Sequence, residues 1–122
     1  MNRNIKVLIA DNDDLNCDFL KCLFVRYGIK EVAMVNSPAA ALYELMVSQE
    51  YDLLISHVYF NEGNGLALTK QIRAQPELKK LKIILMSAHP VPDDAINAGA
   101  DAYFEKPVDL RRLRETIATY FP

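Results

Sequence analysis

Five short apolar runs alternate with segments of helical periodicity along this chain, and the alternation constrains its fold more than any other feature. The runs have the length and the β-branched content of strands covered on both faces. They are Ile5–Ala10, Glu31–Val35, Asp52–His57, Lys82–Met86 and Ala102–Phe104. Strands that alternate with helices predict an α/β fold, in which helices pack on both faces of a doubly wound parallel sheet.

Residues with strong positional preferences mark the ends of the predicted helices. Gly28 ends the first helix, Ser37 and Pro38 begin the second, and Asp109 caps the last. The first helix repeats its apolar residues at helical spacing at Leu15, Phe19, Leu23 and Tyr27. In the last helix, the residues expected to face inward are Leu110, Leu113 and Ile117.

The fourth helix is expected to be short or displaced. Pro90 and Pro92 exclude helix before Asp93, and Gly99 closes the segment. The helix is then confined to the few residues between Asp93 and Ala98.

Length and charge exclude several functional classes. The chain has 122 residues, 14 basic and 16 acidic, for a net charge of −2. This length predicts one domain over residues 1–122 without an effector domain, and the charge argues against nucleic-acid or membrane-surface binding. No apolar run approaches the roughly 18–20 residues that a membrane span needs, and no signal peptide is visible, so we expect a cytoplasmic location. Cys17 and Cys22 have neither metal nor redox spacing and are expected to be reduced, partly buried thiols.

Polar residues collect where the predicted strands end. Asp11, Asn12 and Asp13 follow the first strand, and His57 closes the third. Ser87 closes the fourth strand, and Lys106 lies just past the fifth. Because open parallel sheets bind ligands beyond the carboxyl ends of their strands, these side chains define the candidate site.

Several segments carry a resemblance to a known family. They are Val7–Asp13, Asp52–His57, Gly65–Leu68, Ile83–Ala88 and Ala98–Pro107, which ends in a lysine-proline pair. Together they resemble the receiver domains of two-component response regulators over essentially the whole chain. The resemblance implies a flavodoxin-like (βα)5 fold with strand order 2-1-3-4-5, a cis Lys106–Pro107 bond, and a signalling module that is not an enzyme.

The resemblance also implies where phosphotransfer chemistry belongs. Phosphotransfer receivers use a carboxylate at the end of strand three as nucleophile, an acidic pair after strand one for Mg²⁺, and a Ser or Thr and a Lys for the phosphoryl oxygens. His57 occupies the nucleophile position here, in a register fixed by Asp52 before it and by Asn64-Gly65 after it.

The acidic pair is altered as well. Asp11 matches a metal ligand, but Asn12 stands where an acid is common, and Asp13 compensates only in part. Mg²⁺ prefers hard oxygen ligands, so we expect its binding to be lost or very weak and predict no cofactor. Ser87 and Lys106 remain as remnants of the phosphate cradle.

Four roles are open for His57. The first role is a neutral imidazole that is hydrogen-bonded to Asp11 or to a backbone group. The second is an imidazolium that is paired with Asp11 and held apart from Lys106, and that acts as a permanent switch. The third role is a ligand of a transition metal, together with Asp11 and His89. The fourth is that of a phosphoryl acceptor.

By the same resemblance, Tyr103 matches the family's rotating aromatic residue. It either couples to Ser87 or is a half-buried ring whose hydroxyl faces water. The fourth helix, fifth strand and fifth helix form the family's partner surface, to which a histidine kinase, an effector protein or a second copy would bind. Arg111, Arg112 and Arg114 lie on the outward side of the fifth helix, as a solvated face or as partner ion pairs.

The leading hypothesis from the sequence is a degenerate receiver that acts by phosphorylation-independent protein binding. One alternative is a working phosphoacceptor that uses Mg²⁺ with Asp13, Ser56 or His57. Another is a small flavodoxin-like ligand or metal binder, although no glycine-rich phosphate loop follows the first strand.

Overall fold

The computed structural model of the protein describes every residue from Met1 to Pro122. The strands are β1 (Lys6–Ala10), β2 (Glu31–Val35), β3 (Leu53–His57), β4 (Lys82–Ser87) and β5 (Ala102–Glu105). The helices are α1 (Asp14–Arg26), α2 (Pro38–Ser48), α3 (Gly65–Arg73), α4 (Pro92–Ala98) and α5 (Leu110–Tyr120), and a 3-10 turn covers Pro76–Leu78. No helix is both long and apolar enough to span a membrane.

The five strands form one parallel sheet in the order β2-β1-β3-β4-β5. The flavodoxin-like prediction is therefore confirmed. The register pairs Ala10 with Ser56 and His57 with Met86, so the carboxyl ends of β1, β3 and β4 lie side by side. This alignment brings the candidate site together from segments that are far apart in sequence.

Two apolar cores cover the two faces of the sheet. One lies under α1 and α5, with Phe24 and Ile117 fully buried, and the other lies under α2, α3 and α4, with Leu45 and Ile72 fully buried. Burial of each such side chain contributes roughly 1.5–3 kcal/mol, so the double layer supplies the main driving force for folding. The cores hold the sheet rigid beneath the site.

Helix starts follow the predicted capping chemistry. Ser37 accepts a hydrogen bond from the Ala40 amide, and Asp109 accepts bonds from the amides of Arg111 and Arg112. Such caps satisfy amides that have no partner within the helix. The predicted cis Lys106–Pro107 bond is also present.

The buried face of α1 differs from the predicted one. Leu15 is 81% exposed and Phe19 is 50% exposed. Leu23 of the predicted row is buried, but it is joined by Cys17, Leu20 and Phe24 from the neighbouring face. This helix carries two neighbouring rows of apolar residues that are both suited to packing on the sheet, and helical spacing alone does not decide which row is buried.

Two further details correct the sequence interpretation. Leu110 is 38% exposed, so only Leu113 and Ile117 of the predicted set in α5 are buried. Helix α4 is short as expected, with seven residues, but it begins at Pro92 because proline is tolerated in the first helical turn.

Of the two unpaired cysteines, Cys17 is buried and Cys22 is exposed.

Candidate functional site

Asp11 lies at the centre of the site, immediately after β1. Its side chain is 4% exposed. One carboxylate oxygen accepts a hydrogen bond from the Asp13 amide at 2.9 Å, and the other accepts one from the Asn16 side chain at 2.9 Å. Asn16 was not identified from the sequence; its position one turn into α1 is the only signal that could have indicated it.

Lys106 and His57 approach the same carboxylate from two other strands. Lys106 Nζ is 3.6 Å from Asp11 Oδ2, and His57 Nδ1 is 3.9 Å from Asp11 Oδ1. The structure therefore brings together three of the residues selected from the sequence. A separation of 3.9 Å is too long for a hydrogen bond, and His57 Nδ1 is buried without a partner.

Burial and a neighbouring cation set the charge of His57. Removal from water lowers the pKa of the imidazole below its ordinary 6.5, and the positive charge of Lys106 lowers it further. Asp11, the Tyr59 backbone and Asp13 act in the opposite direction without reversing the shift. His57 is thus neutral at pH 7, which favours the neutral alternative over the imidazolium alternative.

The turn after β3 fixes the direction of His57. A Cβ atom on Gly65 would collide with the His57 carbonyl, so this position accepts only glycine without a shift of backbone. The Gly65 amide donates to the Val58 carbonyl at 2.7 Å, and Asn64 caps α3 through the Ala67 amide. The Phe60 ring lies edge-on to the imidazole, with centroids 6.2 Å apart. The structure thus explains why these two residues stand here: Asn64 caps α3, and Gly65 leaves room for the His57 carbonyl.

Asn12 and Asp13 do not join this cluster. Asp13 is the N-cap of α1, and its side chain accepts from the amides of Leu15 and Asn16. Asn12 is exposed and lines an open cleft with Asp14 and Glu62. Neither residue has a contact with Lys106 or His57 that would extend the site.

His89 lies apart from His57. Its ring packs edge-on against Tyr59, with centroids 6.0 Å apart. The chain contains no group of three or more His, Cys, Asp and Glu side chains that could hold a metal ion. The structure therefore does not bring His57, Asp11 and His89 together as the transition-metal set that was one alternative for His57.

The Ser87 side chain is directed toward Tyr103 and the loop between β4 and α4. Its hydroxyl is hydrogen-bonded to the Tyr103 hydroxyl and donates to the His89 carbonyl, both at 2.5 Å. The Val91 amide also donates to the Tyr103 hydroxyl, at 3.3 Å. The Tyr103 hydroxyl is thus held by protein groups, which favours coupling to Ser87 over a hydroxyl that faces water.

An apolar groove adjoins Lys106 on the α1 side, and the sequence interpretation missed it. Phe19, Val108 and Leu110 line it together with the aliphatic part of Lys106. Its volume is about 260 Å³. Phe19, which is half-exposed on α1, thus forms part of the wall of this groove.

Comparison with known proteins identifies the arrangement. A sequence profile of the response regulator receiver domain matches residues 7–118. The chain belongs to this family. As a receiver domain it is a signalling module of two-component systems.

Relatives and solved structures agree with that assignment. The receiver domain is 33% identical over 115 residues to the transcriptional regulatory protein ZraR of Escherichia coli, covering 93% of this chain. It spans about a quarter of that protein, 26% of its length. A putative response regulator from Chloroflexus aurantiacus superposes with a TM-score of 0.87 at 27% identity, covering 96% of this chain and 97% of the other.

A third match shares the fold alone. The receiver domain of Saccharomyces cerevisiae Ssk1, crystallised with the histidine phosphotransfer protein Ypd1, superposes with a TM-score of 0.87 at 19% identity. The alignment covers 98% of this chain and 90% of that chain.

Proposed function

We propose that this receiver domain signals by binding a partner protein in the cytoplasm and does not depend on aspartyl phosphorylation. The observation that carries the proposal is His57 at the end of β3, where the family's phosphate-accepting aspartate belongs. An imidazole there contacts no carboxylate closely enough to bond, and no aspartate occupies the end of this strand.

The nearby groups are poor substitutes for the missing nucleophile. The Asp13 carboxylate is engaged by the first turn of α1, and Ser56 is fully buried with its hydroxyl bonded to the His57 carbonyl. His57 Nδ1 is itself buried. A nucleophile must reach the phosphoryl group, but Ser56 Oγ and His57 Nδ1 are buried, and Asp13 Oδ1 is bonded within the first turn of α1.

The residues present do not fit Mg²⁺. Both oxygens of Asp11 already accept hydrogen bonds. His57 contributes nitrogen where a hard oxygen ligand is required, and Asn12 contributes a neutral amide.

The state of Tyr103 supports signalling without a phosphoryl group. Its hydroxyl is tied to Ser87 and to the Val91 amide, so the β4–α4 loop and β5 are joined directly. Each such bond contributes about 1 kcal/mol when formed, and the pair favours one arrangement of the loop. The receiver is then held in one binding state by its own side chains.

The surface formed by α4, β5 and α5 is the proposed partner site. Ile96 of α4 is 52% exposed beside a cleft that Tyr103, Glu105 and Arg112 also line. The shortness of α4 gives this surface its own shape. Candidate partners are a histidine kinase, a phosphotransfer protein of the class crystallised with Ssk1, an effector protein, or a second copy.

The deciding experiment exposes the purified receiver to acetyl phosphate with Mg²⁺ and measures intact mass. We expect no stable gain of one phosphoryl group. A gain that disappears in an Asp13→Asn, Ser56→Ala or His57→Asn variant would sink the proposal and support a working phosphoacceptor. Titration with Mg²⁺ followed by NMR is an independent test. Chemical-shift changes confined to Asp11 and His57 would favour a working phosphoacceptor.

A further inference from the structure

A second polar cleft lies at the opposite end of the sheet from His57. Its walls are the end of α3, the segment before β4 and the turn after α4. The cleft has a volume of about 470 Å³, and its charged lining residues are Arg73, Lys79, Lys80, Lys82 and Asp101. It shares no residue with the site described above.

The charge of this cleft is unbalanced. Asp101 is its only carboxylate, and that carboxylate is used within the fold: it binds Arg73 at 2.8 Å and accepts from the Ile83 amide at 2.8 Å. Lys79 and Lys80 are exposed and take part in no ion pair. Four cations therefore face one carboxylate that is already bonded, in a chain whose net charge is −2.

The frame around the lysines is rigid. Arg73 donates to the carbonyls of Leu81 and Gly99, each at 2.8 Å, in addition to Asp101. The ammonium group of Lys82 lies over the Tyr120 ring, 5.2 Å from its centroid. Because Arg73 and Lys82 are fixed in advance, these two side chains lose little conformational entropy when a ligand arrives.

We propose that this cleft, defined by Arg73 and Lys79–Lys82, is a docking surface for a short acidic segment of a partner protein. Carboxylates of such a segment complement the free charges of Lys79 and Lys80, while Arg73 and Lys82 hold the shape of the cleft. A long polyanion fits less well, because the rest of the molecule is acidic and repels charge that extends beyond the cleft. The surface gives the receiver a second contact, remote from α4, β5 and α5.

The test measures binding of a fluorescein-labelled oligoglutamate peptide by anisotropy at low salt, with NMR shifts of the ¹⁵N-labelled receiver to locate it. We expect shifts concentrated at Lys79–Lys82 and Gly99–Asp101, and affinity that falls as salt rises. The variant Lys79→Glu with Lys80→Glu should weaken binding by about tenfold or more. Both side chains are exposed, so its thermal midpoint should match that of the parent.

The matched control is Lys21→Glu with Lys30→Glu, which changes net charge equally at two other exposed lysines. It should retain most of the affinity. Equal weakening in both variants would overturn the proposal, because binding would then follow net charge alone. Tighter binding of a single-stranded oligothymidylate than of the peptide would also overturn it, as would shifts that map outside the cleft.

Discussion

At the scale of single residues, the charge of His57 decides how stability depends on pH. Its folded pKa lies below the ordinary value of 6.5 because the imidazole is buried and faces Lys106. As pH falls, the unfolded chain therefore binds this proton first. The stabilisation that His57 provides is fully present above its pKa in the unfolded chain. It is lost as pH falls below 6.5 toward the lower pKa of His57 in the folded protein.

We expect the free energy of unfolding of the parent to decrease from about pH 7.5 to pH 5 by more than that of His57→Asn. Urea unfolding at several pH values measures the difference. His89→Asn, which changes the exposed second histidine, is the control: an equal loss of slope in this variant would show that the effect does not come from His57. An imidazole NMR titration with a midpoint above 6.5 would contradict the neutral assignment and favour an imidazolium paired with Asp11.

At the scale of secondary structure, the junction between α4 and β5 depends on Gly99. Its φ of 113° is unfavourable for residues with a side chain, and a Cβ atom there would lie 2.6 Å from Arg73 Cγ. Arg73 cannot withdraw freely because it binds three acceptors, among them the Gly99 carbonyl. We expect Gly99→Ala to destabilise the fold by about 1–3 kcal/mol from backbone strain and by a further amount from this collision.

Gly63→Ala is the matched control for that substitution. Gly63 also has a positive φ, 83°, but its Cβ would lie 3.4 Å from the nearest atom, on Pro38, which is ordinary contact. Its cost should therefore be the backbone term alone. If urea unfolding gives equal losses for both variants, Arg73 yields without cost and does not lock this junction.

At the scale of the whole molecule, the parallel sheet with helices on both faces followed from the alternation of apolar runs, because buried parallel strands and amphipathic helices have different periods. The order of the strands followed from the family resemblance. The face of α1 did not follow, since the row at Leu15 and Phe19 and the row at Leu20 and Phe24 are equally apolar. Contact with the sheet selects one of them. Sequence also placed Ser87 at the correct strand end, but its hydroxyl direction depends on a rotamer and a bond to Tyr103.

Two substitutions at the site test whether the proposed loss of phosphotransfer is a local change. The scaffold superposes on a putative response regulator with a TM-score of 0.87, and Lys106 still lies 3.6 Å from Asp11. If only the nucleophile and one metal ligand are missing, His57→Asp with Asn12→Asp should restore Mg²⁺ binding and phosphorylation by acetyl phosphate. The new carboxylate would stand close to Asp11, so Mg²⁺ and Lys106 must together offset their repulsion.

Intact mass after acetyl phosphate treatment measures the restored reaction, and NMR titration measures Mg²⁺ binding separately. Each single substitution is a control that should recover less than the pair, because each leaves one oxygen ligand missing. Addition of Lys106→Ala to the pair should remove the reaction again if the lysine still stabilises the phosphoryl oxygens. A double variant that binds Mg²⁺ yet gains no mass would contradict the local account and implicate Ser87, whose hydroxyl Tyr103 holds toward the partner surface.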